Sequence, residues 1–280
     1  MKRVAITGAT GFLAEKLIEQ LISLGIEINA IARNEGKLVA LKERYNNINI
    51  FPCPIEDECL LKKSLKECDG IFHLASFKDV VLSSNNPLKT VQTNIIGTLN
   101  LLKYTLSNNN VKFIISTSTD KVAKVSSVYG ASKLIVEELF EEFELLNSTS
   151  CKYRIVRYGN VFYSTGSVLT KWKDAILNDR DIRITDREAT RFFWTREEAI
   201  NLLFKCLDDS KNPQPLIPEM KSVSMGVLLD TMLEKYGNQY KGKVVVVGLQ
   251  KGENIHEFLT DTYSSLNAIK WTKEDLLNIV

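Results

Sequence analysis

The feature that most constrains the fold of this chain is a glycine-containing turn near its start. The apolar run Val4–Thr7 leads into Gly8 and Gly11, and apolar residues at helical spacing then continue to Ile22. A strand, a glycine turn and a helix in this order bring backbone N–H groups and a helix N-terminus to one point, which suits a pyrophosphate. Gly8 would allow the tight turn, and Gly11 would let a phosphate approach the backbone. The alternative is an ordinary strand–turn–helix in which the glycines only end the strand.

The turn opens a regular alternation of short apolar runs and helical patterns. Further strands are predicted at 26–32, 48–51, 71–74, 111–115 and 153–156, and helices at 37–44, 60–65, 88–104 and 128–146. Repeated strand–helix units with right-handed crossovers form a doubly wound parallel sheet, whose ligands lie at the carboxyl ends of the strands. We therefore predict an α/β fold of the Rossmann type.

The alternation stops after Tyr158. Helices are predicted at 168–177, from the Thr195–Glu198 capping box to Leu207, at 226–236 and at 273–279, with a short buried strand at 244–247. These elements are too few to fold alone. We expect residues 1–160 to form the dinucleotide-binding domain and residues 161–280 a small C-terminal substrate-binding lobe, interleaved in one structural unit.

Composition excludes several classes of function. The net charge of +2 gives no reason to expect nucleic acid or an anionic membrane as a partner, and no apolar run approaches the roughly 20 residues that span a bilayer. The five cysteines are odd in number and lack C-x-x-C spacing, and the two histidines are far apart, so we expect no disulfide framework and no metal. Glycines interrupt any apolar signal segment after the basic start, so we expect a cytoplasmic protein.

The stretch from Ser116 to Lys133 contains two pairs of candidate catalytic residues. Tyr129 and Lys133 are four residues apart, which places a phenol and an ammonium on one helix face. Asp120 and Lys121 form a potential acid and base after an apolar strand. The alternative for Tyr129 and Lys133 is a surface packing pair, and the alternative for Asp120 and Lys121 is a solvated turn.

Several motifs resemble a known superfamily. Gly8-x-x-Gly11, Asn94 and Tyr129-x-x-x-Lys133 together resemble the extended short-chain dehydrogenase/reductases, and narrower blocks resemble the inverting UDP-N-acetylglucosamine 4,6-dehydratases that begin pseudaminic acid synthesis. Those blocks are Ser118–Lys121, Arg157–Val161, Gly166–Val168, Ile184–Asp186, Thr190–Phe192 and the stretch Gly252-Glu253-x-x-His256-Glu257. The resemblance spans about the whole chain.

The resemblance implies a tightly held nicotinamide cofactor and a role for each residue of both pairs. Tyr129 would take the proton from the sugar 4-hydroxyl, and the charge of Lys133 would favour the phenolate and hold the nicotinamide ribose. Thr119 would position the 4-oxygen. Lys121 would remove the C5 proton and Asp120 would protonate the departing 6-hydroxyl. Because adjacent residues of an extended loop point to opposite sides, we expect Asp120 and Lys121 to flank the C5–C6 bond.

The resemblance also suggests residues that contact the substrate, a UDP-amino sugar. Arg191 is a candidate for the diphosphate because guanidinium suits bidentate phosphate contacts, the alternative being an ion pair with Glu188 or Glu198. Lys78 and Asn160 follow strand ends and are expected to face the pocket. Ser167 and His256 complete the predicted set, although His256 is equally interpreted as a helix-start residue of the small lobe.

Some positions depart from the family pattern around the cofactor. Ala14 replaces a third glycine. Cys53-Pro54 replaces a Gly-Asp pair whose carboxylate usually accepts a hydrogen bond from the adenine amine. No carboxylate ends the second strand, where it would favour NAD; Arg33 stands there and could meet a 2′-phosphate, so we predict NADP over NAD. The predicted cofactor contacts are Gly8, Thr10, Gly11, Phe12, Leu13, Arg33, Ala75, Tyr129 and Lys133.

Three functions stay open on the sequence. The first is the full dehydratase with inversion at C5. The second is a reductase or C5-epimerase acting on the 4-keto or 5,6-ene product of a partner dehydratase. The third is a non-catalytic dinucleotide-sensing protein. We also expect a homodimer or higher homo-oligomer formed through the helices at 87–107 and 128–146, because related enzymes use these faces.

Overall fold

The computed structural model describes residues 1–280, and its centre is a six-stranded parallel sheet. The strands are β1 Arg3–Thr7, β2 Glu27–Ala32, β3 Ile48–Pro52, β4 Gly70–His73, β5 Phe113–Thr119 and β6 Lys152–Tyr158. They lie in the order β3-β2-β1-β4-β5-β6, so the order reverses between β1 and β4. A crevice for ligands opens at the carboxyl ends of the strands at such a switch point. The predicted doubly wound parallel sheet is confirmed.

Helices cover both faces of this sheet. They are α1 Phe12–Ser23, α2 Glu35–Arg44, α3 Glu58–Leu65, α4 Val80–Asn85, α5 Pro87–Thr90, α6 Gly97–Leu106, α7 Val128–Leu146, α8 Val168–Leu177, α9 Arg196–Asp209, α10 Met225–Tyr236 and α11 Lys273–Ile279. Val4 and Ile6 of β1 share a buried cluster with α1 and α9, whereas Ala5 between them belongs to the cluster of α3, α6 and α7. Successive strand residues point to opposite faces, so the apolar run of β1 is buried on both sides.

The chain differs from the predicted elements at three places near the crevice. A short helix, α4, was not predicted, and Asp79 caps it by accepting a hydrogen bond from Leu82 N at 2.8 Å. The predicted helix at 88–104 is interrupted by a π-helical segment at Val91–Ile96. Strand β5 runs beyond its apolar part to Thr119 because residues 116–119 continue to pair with β6. This extension carries Thr119 to the edge of the crevice.

The small lobe contains two further sheets. Its strands are β7 Asn160–Val161, β8 Ile182–Ile184, β9 Thr190–Trp194, β10 Ser222–Ser224 and β11 Val244–Val246, in the orders β10-β9-β7 and β11-β8. A separate buried cluster, which includes Trp172, Phe193 and Leu228, joins these sheets to α8, α10 and α11. The strand expected at 244–247 is present, but the expectation that it is buried is wrong, because β11 is an exposed edge. None of the helices is both long and apolar enough to cross a membrane.

His73 connects β1, β4 and α6 through two buried hydrogen bonds. Its Nδ1 lies 2.8 Å from Thr7 Oγ1 and its Nε2 lies 2.9 Å from Thr98 Oγ1. Burial, with a smaller contribution from the charge of Lys133, lowers the pKa of His73 to about 3. The native state therefore keeps His73 neutral under conditions in which an unfolded chain would protonate it.

We predict that this histidine makes stability fall with acidification. Below about pH 6.5 the unfolded state binds a proton that the native state does not, so His73 costs about 1.4 kcal/mol per pH unit until its folded pKa is reached. Between about pH 6.5 and about pH 5 the loss should reach roughly 2 kcal/mol. Denaturant unfolding of the wild type and of His73→Gln over this range measures the difference in slope. Equal slopes would contradict the prediction.

Candidate active site

A cavity of about 450 Å³ runs along the carboxyl ends of the sheet, from the glycine turn to Tyr129. Gly8 has φ +70°, and a Cβ there would lie 2.8 Å from Ala75 N. Gly11 precedes α1 as its N-cap without a side-chain cap. The turn therefore leaves room, and free N–H groups, for a phosphate against the backbone. Thr10, Phe12, Leu13, Arg33 and Ala75 line the same cavity. These residues fit a dinucleotide.

Tyr129 is held at the start of α7, close to the loop that follows β5. Ser127 caps this helix by accepting a hydrogen bond from Gly130 N at 3.1 Å. A Cβ at Gly130 would lie 2.4 Å from Lys121 O, so a glycine at this position is what lets α7 approach the loop. Tyr129 and Lys121 line the same cavity as a result.

The pKa of Tyr129 is raised to about 12, chiefly by burial. The positive charge of Lys121 opposes this rise, as do the hydroxyls of Thr119 and Ser76, while Asp120 adds to it. Lys121 is therefore the cation with the largest effect on the phenol, and the role of Lys133 in favouring the phenolate stays a prediction. Lys133 is 3% exposed and lines neither main cavity, and burial, opposed by Glu137, lowers its pKa to about 8.

Asp120 and Lys121 form a buried ion pair. Lys121 Nζ donates to Asp120 Oδ1 at 3.0 Å, and Thr119 Oγ1 donates to the same oxygen at 2.9 Å. Both residues belong to a short 3₁₀ turn, Asp120–Val122, rather than an extended loop. The expectation that they point to opposite sides is therefore wrong. Asp120 is 1% exposed, and its Oδ2 has no hydrogen-bond partner.

Glu257 is a third member of this cluster that the sequence did not single out. Its Oε1 lies 3.6 Å from Lys121 Nζ and 3.9 Å from Arg191 Nε, and the residue is 2% exposed. Asn254 Nδ2 approaches its Oε2 at 3.4 Å. The only signal in the sequence was its place in the motif Gly252-Glu253-x-x-His256-Glu257, where it had no assigned role. The small lobe brings it to Lys121 from a distant part of the chain.

The two carboxylates control the protonation of Lys121. Burial alone would lower the pKa of Lys121, but Asp120 and Glu257 outweigh it and raise that pKa above its usual value. Burial also raises the pKa of Asp120; Lys121 opposes this rise and Glu257 adds to it. Lys121 therefore holds its proton before substrate binds, whereas Asp120 is unusually ready to accept one.

A second cavity of about 360 Å³ adjoins the first and extends under the small lobe. Lys78, Lys121 and Asn160 line both cavities, and Ser167 and Arg191 line the second. The nearest carboxylate to Arg191 is Glu257, rather than the Glu188 or Glu198 of the alternative interpretation, and its Nη1 donates to Thr190 O at 2.9 Å and Ile255 O at 3.0 Å.

Two predicted substrate residues also have structural roles in this structure. His256 lines neither cavity; its Nδ1 lies 2.8 Å from Thr190 Oγ1, which ties its loop to β9. This arrangement favours the structural interpretation of His256 over a direct contact with the nucleotide. Ser167 caps α8 through Thr170 N at 3.5 Å while still lining the second cavity.

Comparisons with known proteins agree with this architecture. The family model described as "Polysaccharide biosynthesis protein" matches residues 4–276. The chain is 31% identical to a Methanocaldococcus jannaschii protein named "Uncharacterized membrane protein MJ1061", over 92% of this chain and 80% of that protein. It is 26% identical to a Campylobacter jejuni UDP-N-acetylglucosamine 4,6-dehydratase (inverting), over 94% and 79% respectively. The solved structure of Pen from Bacillus thuringiensis superposes with a TM-score of 0.91 at 26% identity, covering 99% of this chain and 97% of that one.

Proposed function

Because the chain belongs to the polysaccharide biosynthesis protein family and has the short-chain dehydrogenase/reductase fold, we propose that it is an enzyme that modifies a nucleotide sugar. The specific reaction that we propose is the 4,6-dehydration of UDP-N-acetylglucosamine with inversion at C5, giving a UDP-4-keto-6-deoxy-L-AltNAc product. One observation carries this proposal: Lys121, which lines both cavities beside Tyr129 of the first, is paired with the buried Asp120, which lines neither.

Tyr129 begins the proposed reaction by removing the proton of the sugar 4-hydroxyl. Thr119, whose hydroxyl opposes the rise in the pKa of Tyr129, would orient the 4-oxygen. The residues of the first cavity would hold an NAD(P), which would supply the oxidant for C4 and later the reductant for C6. Lys121 lowers the free energy of the phenolate because its charge is the largest cationic effect on Tyr129.

Asp120 and Lys121 then exchange one proton with each other. Oxidation at C4 makes the C5 proton acidic, and a base is needed to remove it. Transfer of one proton from Lys121 Nζ to Asp120 Oδ1, which are 3.0 Å apart, converts the ion pair into a free amine and a carboxylic acid. The amine can remove the C5 proton, and the acid can protonate the departing 6-hydroxyl. A solvent proton delivered to C5 from the face opposite Lys121 would replace the one removed and invert that centre.

This pair favours dehydration over simple epimerisation at C4. Epimerisation at C4 requires proton transfer at the 4-oxygen only, for which Tyr129 and Thr119 suffice. A buried acid and base next to them would have no use in that reaction, and burying an ion pair is costly unless it is well compensated. The pair therefore supports the proposal of chemistry at C5 and C6.

The second candidate function is a reductase or C5-epimerase that acts on a 4-keto or 5,6-ene product of a partner dehydratase. The observation that favours it is the raised pKa of Lys121, since a protonated Lys121 can deliver a proton to C5 but cannot remove one. It would use Tyr129 unchanged and would not require Asp120 to expel water.

The substrate side of the site is proposed to lie in residues 161–280, with the dinucleotide in residues 1–160. Arg191 and Lys78 would bind the diphosphate as cations that line the second cavity, and Asn160 and Ser167 would contact the sugar. We also propose a homodimer, because α5 and α7 expose apolar side chains, including Leu88 and Ile135. A cytoplasmic location stays a prediction.

Incubation with UDP-N-acetylglucosamine, without added cofactor, tests the proposed function. The dehydratase should yield a sugar lighter by one water, with a C4 ketone visible by NMR and deuterium at C5 in deuterated water. Inertness, relieved when the product of a known dehydratase is supplied, would instead identify the second candidate. Inertness to both, with dinucleotide bound, would identify a sensing protein.

We predict that the protein carries NADP rather than NAD. Arg33 and Lys37 line the cavity at the end of β2, and neither has a carboxylate partner, so both are available to a 2′-phosphate. Denaturation and chromatography of the released dinucleotide should give mainly NADP. Arg33→Ser should weaken NADP binding by about fivefold relative to NAD. Release of NAD alone from the wild type would contradict the prediction.

A further inference from the structure

Glu56 is the only carboxylate among the residues that line the first cavity. The other charged residues there are cations: Arg33, Lys37, Lys78 and Lys121. Cations suit a cavity that takes a polyanionic dinucleotide, whereas a carboxylate repels phosphate. A carboxylate at such a position suits a hydrogen-bond donor on the ligand better than a phosphate.

The carboxylate of Glu56 is held by one oxygen and free at the other. Its Oε1 accepts hydrogen bonds from Lys89 Nζ at 2.6 Å and Thr93 Oγ1 at 2.8 Å. Its Oε2 is buried and has no partner. Burial acts to raise the pKa of Glu56, but hydrogen bonds from Lys89, from its own backbone N–H and from Thr93 lower it overall, so the group is ionised and can only accept hydrogen bonds. An unpaired buried acceptor is costly, and a ligand donor would relieve that cost.

The position of Glu56 identifies which part of the dinucleotide supplies the donor. The pyrophosphate belongs at the N-terminus of α1, and the adenosine ribose belongs at the end of β2, beside Arg33. Strand β3 lies next to β2 on the side away from β1, and Glu56 follows β3. Beyond the ribose in that direction comes the adenine, whose exocyclic amine is a donor. The nicotinamide half extends the opposite way, toward Tyr129.

The loop that carries Glu56 is fixed in place. Asn100 Nδ2 donates to Ile55 O at 3.2 Å and to Glu56 O at 3.1 Å. Ile55 and Cys53 line the cavity beside Glu56 and provide an apolar surface for the purine ring. Pro54 has no polar side chain, so its side chain cannot accept a hydrogen bond from the amine.

We propose that Glu56 recognises the adenine amine of the dinucleotide through Oε2, with Lys89 and Thr93 as positioning residues. This inference rests on the proposed dinucleotide site. It makes the enzyme selective for adenine over hypoxanthine, because hypoxanthine presents a carbonyl oxygen where adenine presents the amine, and that oxygen would face the carboxylate.

Competition between two dinucleotides tests the inference on the purified protein. The protein is incubated with equal amounts of NAD and nicotinamide hypoxanthine dinucleotide, or of their 2′-phosphates, until exchange is complete, and the bound fraction is released by denaturation and separated by chromatography. The wild type should retain the adenine form over the hypoxanthine form by about tenfold to a hundredfold, as expected for a hydrogen bond to a charged group.

Two variants separate recognition from structural pairing. In Glu56→Gln the amide can either accept from the amine or donate to the carbonyl oxygen, so the preference should fall to near unity while dinucleotide still binds. Lys89→Met removes the ion pair but keeps the carboxylate, so much of the preference should remain. A wild-type ratio near unity would overturn the role of Glu56 and leave the proposed function intact. If neither dinucleotide binds to the wild type, the proposed function is overturned as well.

Discussion

Replacing Tyr129 with phenylalanine should lower kcat by about two to four orders of magnitude, which is the range for loss of a general acid–base group. The variant removes one hydroxyl at the start of α7, and Ser127 still caps the helix through Gly130 N. Dinucleotide binding and folding should therefore be preserved. In the proposed reaction, the affected step is removal of the proton from the sugar 4-hydroxyl, without which C4 cannot be oxidised.

Single-turnover absorbance of the nicotinamide measures this step directly. Mixing the holoenzyme with UDP-N-acetylglucosamine should give a transient reduced cofactor in the wild type and none on the same timescale in Tyr129→Phe. Tyr104→Phe is the matched control, because its hydroxyl donates to Leu65 O at 3.2 Å and the residue lines neither main cavity. Near-normal turnover of Tyr129→Phe would rule out the tyrosine as the base.

The frame of this site follows from local sequence patterns. The glycine turn and the alternation of strands and helices predict the parallel sheet, because strand pairing at 2-residue period and helix packing at 3.6-residue period are both local signals. The spacing of Tyr129 and Lys133 likewise predicts that both lie on α7. Carboxyl ends of parallel strands meet at one edge, so the predicted parallel sheet also places Gly8 and the residues that follow the strand at 111–115 at the same edge.

The electrostatics of the site depend on contacts between distant segments, and the sequence could not predict them. Glu257 reaches Lys121 only because the loop before Phe258 is tied to β9, where His256 contacts Thr190 and Glu257 N donates to Ser265 Oγ at 2.9 Å. Nothing in local spacing indicates that distance. The geometry of Asp120 and Lys121 was also missed, because an extended loop and a 3₁₀ turn differ by backbone dihedrals that three residues of sequence do not specify.

These contacts change the protonation states of Lys121 and Asp120 from which the proposed reaction starts. A lysine chosen from the sequence as a base turns out to lie between two buried carboxylates that keep it protonated. The same pairing gives Asp120 a raised pKa and a hydrogen bond along which a proton can move. Acid and base are therefore coupled, and the removal of either changes the protonation of the other.

Replacing Lys121 with methionine should lower the rate of C5 proton exchange by about two to four orders of magnitude. Methionine keeps an apolar stem in the buried site but has no ammonium and no amine. Because Lys121 also lowers the pKa of Tyr129, oxidation at C4 should slow to a smaller extent. Deuterium incorporation at C5 in deuterated water measures the first step, and nicotinamide absorbance measures the second. Lys124→Met is the control, since Lys124 Nζ lies 3.5 Å from the ring centroid of Phe258 and lines neither main cavity.

The pH dependence of exchange then distinguishes a base from a structural cation. Transfer of the proton to Asp120 supplies a pH-independent fraction of free amine, and loss of that proton to solvent adds to it, so the exchange rate should rise with pH toward the raised pKa of Lys121. Glu257→Gln removes one of the two carboxylates that raise this pKa, so the rise of its exchange rate should occur at lower pH while Asp120 remains paired. If Lys121 only holds Asp120 and Glu257 in place, Glu257→Gln should change the maximal exchange rate without shifting the pH at which the rate rises. Persistence of exchange in Lys121→Met would exclude Lys121 as the base and would move the assignment to another residue at the junction of the two cavities.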